Sequence, residues 1–530
     1  MDPRSVGCVV LAAGASSRFG GPKALARLGD RTLLQRVLDT LAGVGFAETV
    51  VVLGHAADEI EAATAWRDER RVRNPDPDAG LSSSLRVGLE ALARGPLDGV
   101  PPDGVPLAPA RHEGSASPGP ATPRDAAELG PRIEAALFVL GDQPLLRVGT
   151  IRAVIGALEP GVRAVVIPRY DAGGPNPALL SREAWPLALE ASGDRGLGPL
   201  LRSHADLVRE VRVPGANPDV DTPADLAAMA WGERVRGNRE QVDRVREVGD
   251  GADFYAPQVH RFRADPRRAG DAVLDLLRSL ARPGETWLDI GAGAGRYALP
   301  LALLVRQVVA VDPSAGMLAA LRADAEAEGI ANVRTLRARW PVDPAGPPPP
   351  VADVSLIANV GHDVEEIGAF LDAMEASARR LCVAVMSERQ PAAAAEPYWP
   401  PVHGERRITL PALPELLEVL RARGRVPEVT LVDQPPRTYP DEDELLAFIR
   451  GQLWVAPGGA KDERLRGLVR ADLVRRHGGV RLRGEARGRA GVVCWAPGER
   501  NASAMPGSSE DTAPSRAGAS PSLTGGRPSV

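Results

Sequence analysis

Short β-rich runs alternate with amphipathic helical patterns in this chain of 530 residues, and the alternation occurs twice. In the first half the expected strands are 6–11, 49–53, 136–140 and 163–168, with helices such as 32–41 and 81–92 between them. Order of this kind feeds parallel strands through crossover helices, and such a sheet must be covered on both faces. After a polar, arginine-rich stretch near 232–250 the pattern restarts with expected strands at 285–290, 307–311, 333–336, 353–357 and 381–386. The prediction is two three-layer α/β/α domains with mostly parallel sheets, over 1–232 and 271–498, joined by a linker and helical lead-in over 233–270. No repeat of solenoid period is present and the halves share no motif, so the domains are of different kinds. Residues 95–131, rich in Pro, Gly and Ala, predict a disordered insertion, and PAGPPPP at 344–350 follows the same logic. Residues 499–530 have almost no large apolar side chains, cannot offset the entropy of ordering, and predict a disordered tail.

Charge narrows the partners. With 64 Lys and Arg against 69 Asp and Glu, the net charge of −5 gives no electrostatic footprint for nucleic acid or an anionic membrane. Cys8, Cys382 and Cys494 lie far apart without a CxxC pair, which excludes a disulfide framework or zinc knuckle and fits buried thiols in a reducing cytosol. The first apolar run, about seven residues, is too short to span a bilayer and poorly shaped for secretion. A cytoplasmic location is expected. Lys23 and Lys461 are the only lysines, all other basic residues being arginine. A lysine that persists against such a bias marks a place that needs a compact, flexible point charge.

The first expected strand closes on Leu11-Ala12-Ala13-Gly14-Ala15-Ser16-Ser17-Arg18-Phe19-Gly20-Gly21-Pro22-Lys23. Small residues let main-chain N–H groups close around anionic oxygens, and Arg18 and Lys23 add positive charge where a polyphosphate would lie. The run is not a Walker A loop, because Ala24 follows Lys23 where Ser or Thr is required. Its glycines alone also suit an ordinary strand-to-helix turn; the joint spacing of Gly14, Ser16, Arg18, Gly20 and Lys23 is what points to phosphate. Downstream, Asp142 in Gly141-Asp142-Gln143-Pro144, and Asp219 and Asp221 in Asp219-Val220-Asp221-Thr222-Pro223, offer oxygen ligands suited to Mg2+ beside phosphate. Taken singly, Asp142 also reads as a turn residue and Asp221 as a helix N-cap.

Residues 11–23 match the signature LAAGxSxRxGxxK, and with it the first half resembles the MobA-like nucleotidyltransferases. Asn74-Pro75 through Gly80-Leu81-Ser82-Ser83-Ser84-Leu85 resembles the family's base- and ribose-facing segment, and residues 141–144 its metal-binding strand end. Asn176-Pro177-Ala178-Leu179-Leu180, residues 193–201 and residues 219–226 resemble the acceptor-side segments of the molybdenum cofactor cytidylyltransferases within it. The resemblance implies Leu11, Ala12, Ala13, Gly14, Lys23, Ser82, Ser83 and Ser84 as nucleotide-binding residues. It also implies Arg18, Lys23 and Asp142 as catalytic residues and Asp142, Asp219 and Asp221 as metal ligands. The activity it implies is Mg2+-dependent transfer of CMP from CTP, ahead of other nucleoside triphosphates, to molybdopterin with release of pyrophosphate, with a molybdoenzyme as partner. Two departures concern the acceptor side: residues 95–131 are longer than usual, and Gly174-Pro175-Asn176 replaces the usual small-residue run.

In the second half, Thr286-Trp287-Leu288-Asp289-Ile290-Gly291-Ala292-Gly293-Ala294-Gly295-Arg296 reads as a buried strand ending in three alternating glycines. These let a ligand approach the main chain at the carboxyl edge of a sheet. Val309-Ala310-Val311-Asp312-Pro313 is a second strand ending in an acid placed to accept from ribose hydroxyls. The two acids together resemble the class I S-adenosylmethionine-dependent methyltransferases rather than dinucleotide dehydrogenases. Residues 352–363 resemble the fourth-strand motif of that fold, and Ala338-Arg339-Trp340 the stretch that flanks adenine. The resemblance implies S-adenosylmethionine held by Asp289, Gly291, Gly293, Gly295, Asp312, Arg339 and Asn359. Trp340 also reads as a packing aromatic, and His362 as either a hydrogen-bonded loop histidine or a substrate base. Tyr255, His260, Tyr398, Trp399 and His403 read as lid or substrate contacts, or as core packing. Ala358-Asn359-Val360-Gly361 stands where an NPPY-like tetrad would, which favours a small-molecule acceptor.

Both resemblances imply Rossmann-like domains, and together a bifunctional transferase. The alternative is a sugar-phosphate or other small-molecule nucleotidyltransferase carrying a non-catalytic S-adenosylmethionine-binding or partner-docking module.

Overall fold

The computed structural model describes residues 1–94, 133–171, 174–249, 256–343, 345–390, 392–476, 478–483 and 488–498. The segments 95–131 and 499–530, and Tyr255, lie outside the described residues. Two seven-stranded sheets organise the rest. The first has the spatial order Arg70–Arg73, Glu48–Leu53, Val6–Ala12, Ala135–Leu140, Ala178–Ser181, Val165–Arg169, Val208–Arg212. All neighbours are parallel except around Ala178–Ser181, which runs against both of its partners. Along the central strand Cys8 and Val10 enter one apolar cluster and Val9 and Leu11 the other. That alternation buries both faces of the sheet. Helix Leu33–Ala42 covers the first face through Leu34, Val37 and Leu38, and helix Leu81–Arg94 the second through Leu85, Leu89 and Leu92.

The second sheet has the order Val333–Arg337, Gln307–Asp312, Thr286–Ile290, Ala352–Ala358, Ala378–Ser387, Gly488–Trp495, Glu428–Gln434. Its first five strands are parallel and Gly488–Trp495 is antiparallel to both neighbours. Trp287, Val308 and Ala310 pack on one face, and Leu288, Ile290, Val309 and Val311 on the other. The strands missing from the sequence reading include Arg70–Arg73, Val208–Arg212 and Glu428–Gln434, all at sheet edges. Their interspersed charged residues suit an edge and conceal the strand from a search for apolar runs.

The expected division at 232/233 falls inside one continuous helix of 23 residues, Pro223–Val245. Its start is a capping box: the Thr222 hydroxyl accepts from Asp225 N, and Asp225 Oδ2 accepts from Thr222 N at 2.8 Å. Pro223 at the first helical position needs no hydrogen-bond acceptor there. Leu226, Met229 and Ala230 pack on Leu28, Leu33 and Val220 of the first domain. Ala227, Trp231 and Val235 enter the core of the second, where Trp231 Nε1 donates to Val364 O at 2.9 Å. The approach is close enough that a Cβ on Gly232 would stand 2.9 Å from Glu365 O. Arg236 Nε donates to Glu365 Oε1 at 2.7 Å, and Arg234 pairs with Glu415. The arginines that look like a solvated linker in the sequence are partners of the second domain.

The last turns of this helix reach a third apolar cluster. Val242 and Val245 join Trp399, Val402, Leu446, Ile449, Leu465 and Val480. This cap is made of segments inserted after Ala378–Ser387 and between Glu428–Gln434 and Gly488–Trp495. Lys461 Nζ donates to Val245 O at 2.9 Å, a cation placed on the carbonyl end of the helix. Among the described residues no helix is long and apolar enough to cross a membrane.

Candidate functional site

The first site lies at the carboxyl ends of the central strands Val6–Ala12 and Ala135–Leu140. Leu11 and Ala13 are buried while Gly14 is exposed, so residues 12–14 present chiefly main chain. Ser16 adopts a left-handed conformation, φ 53°, and its hydroxyl accepts from Lys23 N at 3.2 Å, which closes the loop on itself. Lys23 Nζ pairs with Asp142 and also donates to Asp221 Oδ1 at 3.1 Å. Arg18, largely exposed, donates to Asp221 Oδ2 at 3.0 Å. Val220 N donates to Asp142 O at 3.2 Å, which fixes the two acidic segments side by side.

Electrostatics follow from this convergence. Burial by itself would lower the Lys23 pKa, but the Asp142 and Asp221 carboxylates outweigh it and raise the value. Burial opposes ionisation of Asp221, yet Lys23 and Arg18 draw its pKa below the usual carboxylate range. Asp219 is raised, first by burial and then by the charge of Asp142, and accepts from Gln143 Nε2 at 2.6 Å. Among the described residues no three Asp, Glu, His or Cys side chains are placed to hold one metal ion, so the expected trio of metal ligands is not assembled. Asp142 and Asp221 fit a divalent cation completed by phosphate oxygens, since both already converge on one cation, Lys23. The helix cap is Thr222, not Asp221, which leaves the Asp221 carboxylate for these contacts.

The serines divide. Asn74 Nδ2 donates to the hydroxyls of Ser83 at 2.7 Å and Ser84 at 3.0 Å, so these two brace the loop before helix Leu81–Arg94. Ser82 Oγ is buried with no hydrogen-bond partner among the described residues. Segment 193–196 closes on the same helix start, where a Cβ on Gly80 would lie 2.5 Å from Asp194 Oδ1.

The second site lies at the carboxyl edge of the second sheet. Gly291, φ 73°, donates to Val311 O at 2.7 Å, and a Cβ there would lie 2.5 Å from Val360. Both the backbone conformation and the space demand glycine. Gly293 N donates to Asp312 Oδ2 at 2.9 Å, and Ser314 N to Asp312 Oδ1 at 2.8 Å. A Cβ at Gly293 would meet nothing within 4 Å, so the loop is open on that side. Gly295, φ 87°, packs against Leu299 and Leu321 and shapes the turn rather than an open surface. Asp289 is fully buried, and burial first, then the charge of Asp312, pushes its pKa up to about 7.

Asn359 sits at φ 54° beyond strand Ala352–Ala358, with its N–H donating to Val385 O at 2.8 Å. Arg339 is exposed. Trp340 packs on the core with Nε1 donating to Phe370 O at 3.3 Å, which makes it a packing aromatic. His362 Nδ1 pairs with Pro411 O at 2.7 Å, burial lowers its pKa, and Nε2 has no partner among the described residues. Tyr398 and Trp399 are core residues of the cap and His403 packs on Trp399 with the rings tilted by 47°, whereas His260 is exposed. The cap, Gln143 and the Thr222–Asp225 box escaped the sequence reading; only Thr222-Pro223 followed by Asp225 carried a local sign.

Comparison with known proteins agrees with the division into two catalytic families. Residues 8–208 match the MobA-like NTP transferase domain, and residues 288–379 match a methyltransferase domain. The chain is 31% identical over 354 residues to the Bifunctional IPC transferase and DIPP synthase of Rubrobacter xylanophilus, covering 63% of this chain and 74% of that protein. It is 41% identical over 81 residues to the Nicotine blue oxidoreductase of Paenarthrobacter nicotinovorans, covering 15% of this chain and 40% of that protein. Among solved structures, the homolog of Mycobacterium tuberculosis rv0371c from Mycobacterium sp. strain JC1 is 29% identical, covering 43% of this chain and 96% of that one, with a TM-score of 0.32. The chain therefore belongs to the MobA-like NTP transferases through residues 8–208 and carries a methyltransferase domain over residues 288–379.

Proposed function

We propose that the first domain transfers CMP from CTP to a phosphate of a molybdopterin-type acceptor, and that the second transfers a methyl group from S-adenosylmethionine to a small molecule. The observation that carries the first half is Lys23, whose ammonium lies between Asp142 and Asp221 beside the Gly14 loop. An acceptor oxygen attacks the α-phosphorus, the bond to the β-phosphate oxygen breaks, and pyrophosphate leaves. Such transfer depends on positioning and on neutralising charge. Lys23 exchanges its carboxylate partners for triphosphate oxygens, Arg18 approaches from the exposed side, and main-chain groups of residues 12–14 border the phosphates. Bound to Asp142 and Asp221, Mg2+ would supply further neutralising charge.

In the second domain S-adenosylmethionine supplies the methyl group. Asp312 is held by two main-chain N–H groups in position to accept from ribose hydroxyls, and the open loop at Gly293 admits the ligand. The protein's part is to align donor and acceptor and exclude water.

The test is pyrophosphate release by the full-length protein with Mg2+, molybdopterin and each of CTP, GTP, ATP and UTP. Release with CTP alone, abolished by Lys23→Ala, is the expected result; release without dependence on molybdopterin overturns the acceptor. A sugar-phosphate or related acceptor is the second reading, since the name of the similar Rubrobacter protein, Bifunctional IPC transferase and DIPP synthase, carries no molybdopterin chemistry. A parallel panel of sugar 1-phosphates separates the two.

A further inference from the structure

The segment between strand Ala378–Ser387 and helix Leu413–Ala422 leaves the carboxyl edge of the second sheet, where open α/β sheets bind their ligands. Within it, Arg407 has buried Nε and Nη1 atoms, and neither finds a hydrogen-bond partner among the described residues. The acid whose charge reaches it, Glu396, is paired with Arg389 at 3.3 Å. The guanidinium stacks on Trp399, 4.7 Å from the ring centroid, and Trp399 is wholly buried. Burial lowers the Arg407 pKa to about 10, which still leaves it charged at neutral pH. A guanidinium buried at Nε and Nη1, and reached only by an acid already paired with Arg389, leaves part of its charge unanswered, which an anion would complete. Gln390, three residues past the strand end and 5% exposed, likewise leaves both amide atoms without a partner among the described residues.

Arg407 is also held from behind. Gln241 of the helix Pro223–Val245 donates to Arg406 O at 2.8 Å and accepts from Ile408 N at 2.8 Å. The main chain on both sides of Arg407 is thereby clamped by a buried amide, which fixes the point from which the side chain reaches Trp399.

We propose that Arg407 is the receptor for a carboxylate or phosphate group of the methyl acceptor. The proposal rests on the methyltransferase reading and narrows the acceptor to an anionic small molecule. A rigid, planar, permanently charged donor group backed by an aromatic face suits either oxyanion. S-adenosylmethionine itself carries a carboxylate, so the test must separate donor from acceptor.

The experiment uses full-length protein carrying Lys23→Ala, which weakens phosphate binding at the first site equally in every sample, alone and with Arg407→Met or Arg407→Lys added. Each is titrated calorimetrically with S-adenosylhomocysteine, then at saturation with inorganic phosphate or succinate. The parent is expected to bind at least one anion, Arg407→Met to weaken it tenfold or more, and Arg407→Lys to retain part. S-adenosylhomocysteine is expected to bind all three proteins equally, which also shows that they fold. Arg407→Met, which removes the charge but keeps an unbranched side chain, is expected not to lower the melting temperature in anion-free buffer; a purely structural stack of the guanidinium on Trp399 would lower it. Undiminished anion binding in Arg407→Met, or none in the parent, overturns the proposal. Loss of S-adenosylhomocysteine affinity in a folded Arg407→Met protein assigns Arg407 to the donor carboxylate and overturns it as well. Failure of the parent to bind S-adenosylhomocysteine sinks the methyltransferase reading itself, on a readout separate from the anions.

Discussion

Each of the two sheets ends a central strand in a glycine-bearing loop, but the loops are surrounded by opposite arrangements of charge. At the first, Lys23 and Arg18 already answer Asp142 and Asp221, and the lysine gains charge stability from both carboxylates. At the second, Asp289 and Asp312 are buried side by side, main-chain N–H groups answer Asp312, and Asp289 is driven toward its neutral form. The difference matches the ligands proposed for the two sites. A triphosphate with a divalent cation calls for a cation that can change partners, and a flexible lysine does this without leaving a bare buried charge. An adenosyl ligand brings hydroxyl donors and a sulfonium charge, which call for fixed acceptors on a rigid sheet.

This contrast can be broken or sharpened by experiment. Trp231→Ala removes the indole through which the shared helix enters the second core, and should cost about 3–5 kcal/mol. Scanning calorimetry should show the methyltransferase transition falling; an equal fall in both transitions would show that the helix makes the two domains one folding unit. Lys23→Ala should reduce nucleotidyl transfer by about 10²–10³-fold, the scale for losing one preorganised charge-stabilising group. Pyrophosphate release measures this, and S-adenosylmethionine affinity should stay unchanged.

Asp289 gives a pH dependence of definite sign. Its pKa is about 7 in the native protein, far above the ordinary range of an unfolded chain, so between about 4 and 7 the native state holds the proton that the unfolded state has released. The contribution of Asp289 to stability is therefore fullest below about pH 4 and falls as pH rises toward 7, by about 2–4 kcal/mol. In Asp289→Asn that slope of the methyltransferase melting temperature should vanish. The smallest effect expected is that of Asp312→Ala, which removes a charged acceptor and should weaken S-adenosylmethionine binding by about 1.5–3 kcal/mol. Calorimetry would report it, with pyrophosphate release unaffected.

Much of both sites was legible because their parts are local. Residues 11–23 and 286–296 each form a strand, a glycine-bearing turn and its charges within one short segment, so spacing alone marks them. The central strands were legible for a similar reason: buried on both faces, they are continuous apolar runs. The sequence could not show that Ser83 and Ser84 serve Asn74, because the three residues look alike until one hydroxyl is left over. Nor could it show the helix Pro223–Val245 as part of two cores. Its buried positions, Ala227, Trp231, Val235 and Val242, lie among arginines whose partners come from residues more than a hundred positions away.

From sequence alone came the two α/β domains, the two loops and the persistence of Lys23 against an arginine-rich background. Tertiary structure decided where those charges go. Lys23 meets Asp221 across 198 positions, while Lys461 closes the far end of the helix that begins just after Asp221. Loop conformation follows from neighbouring residues, whereas the pairing of charges depends on which distant segments the packed cores bring within a few ångströms, where removal from water makes each pairing count.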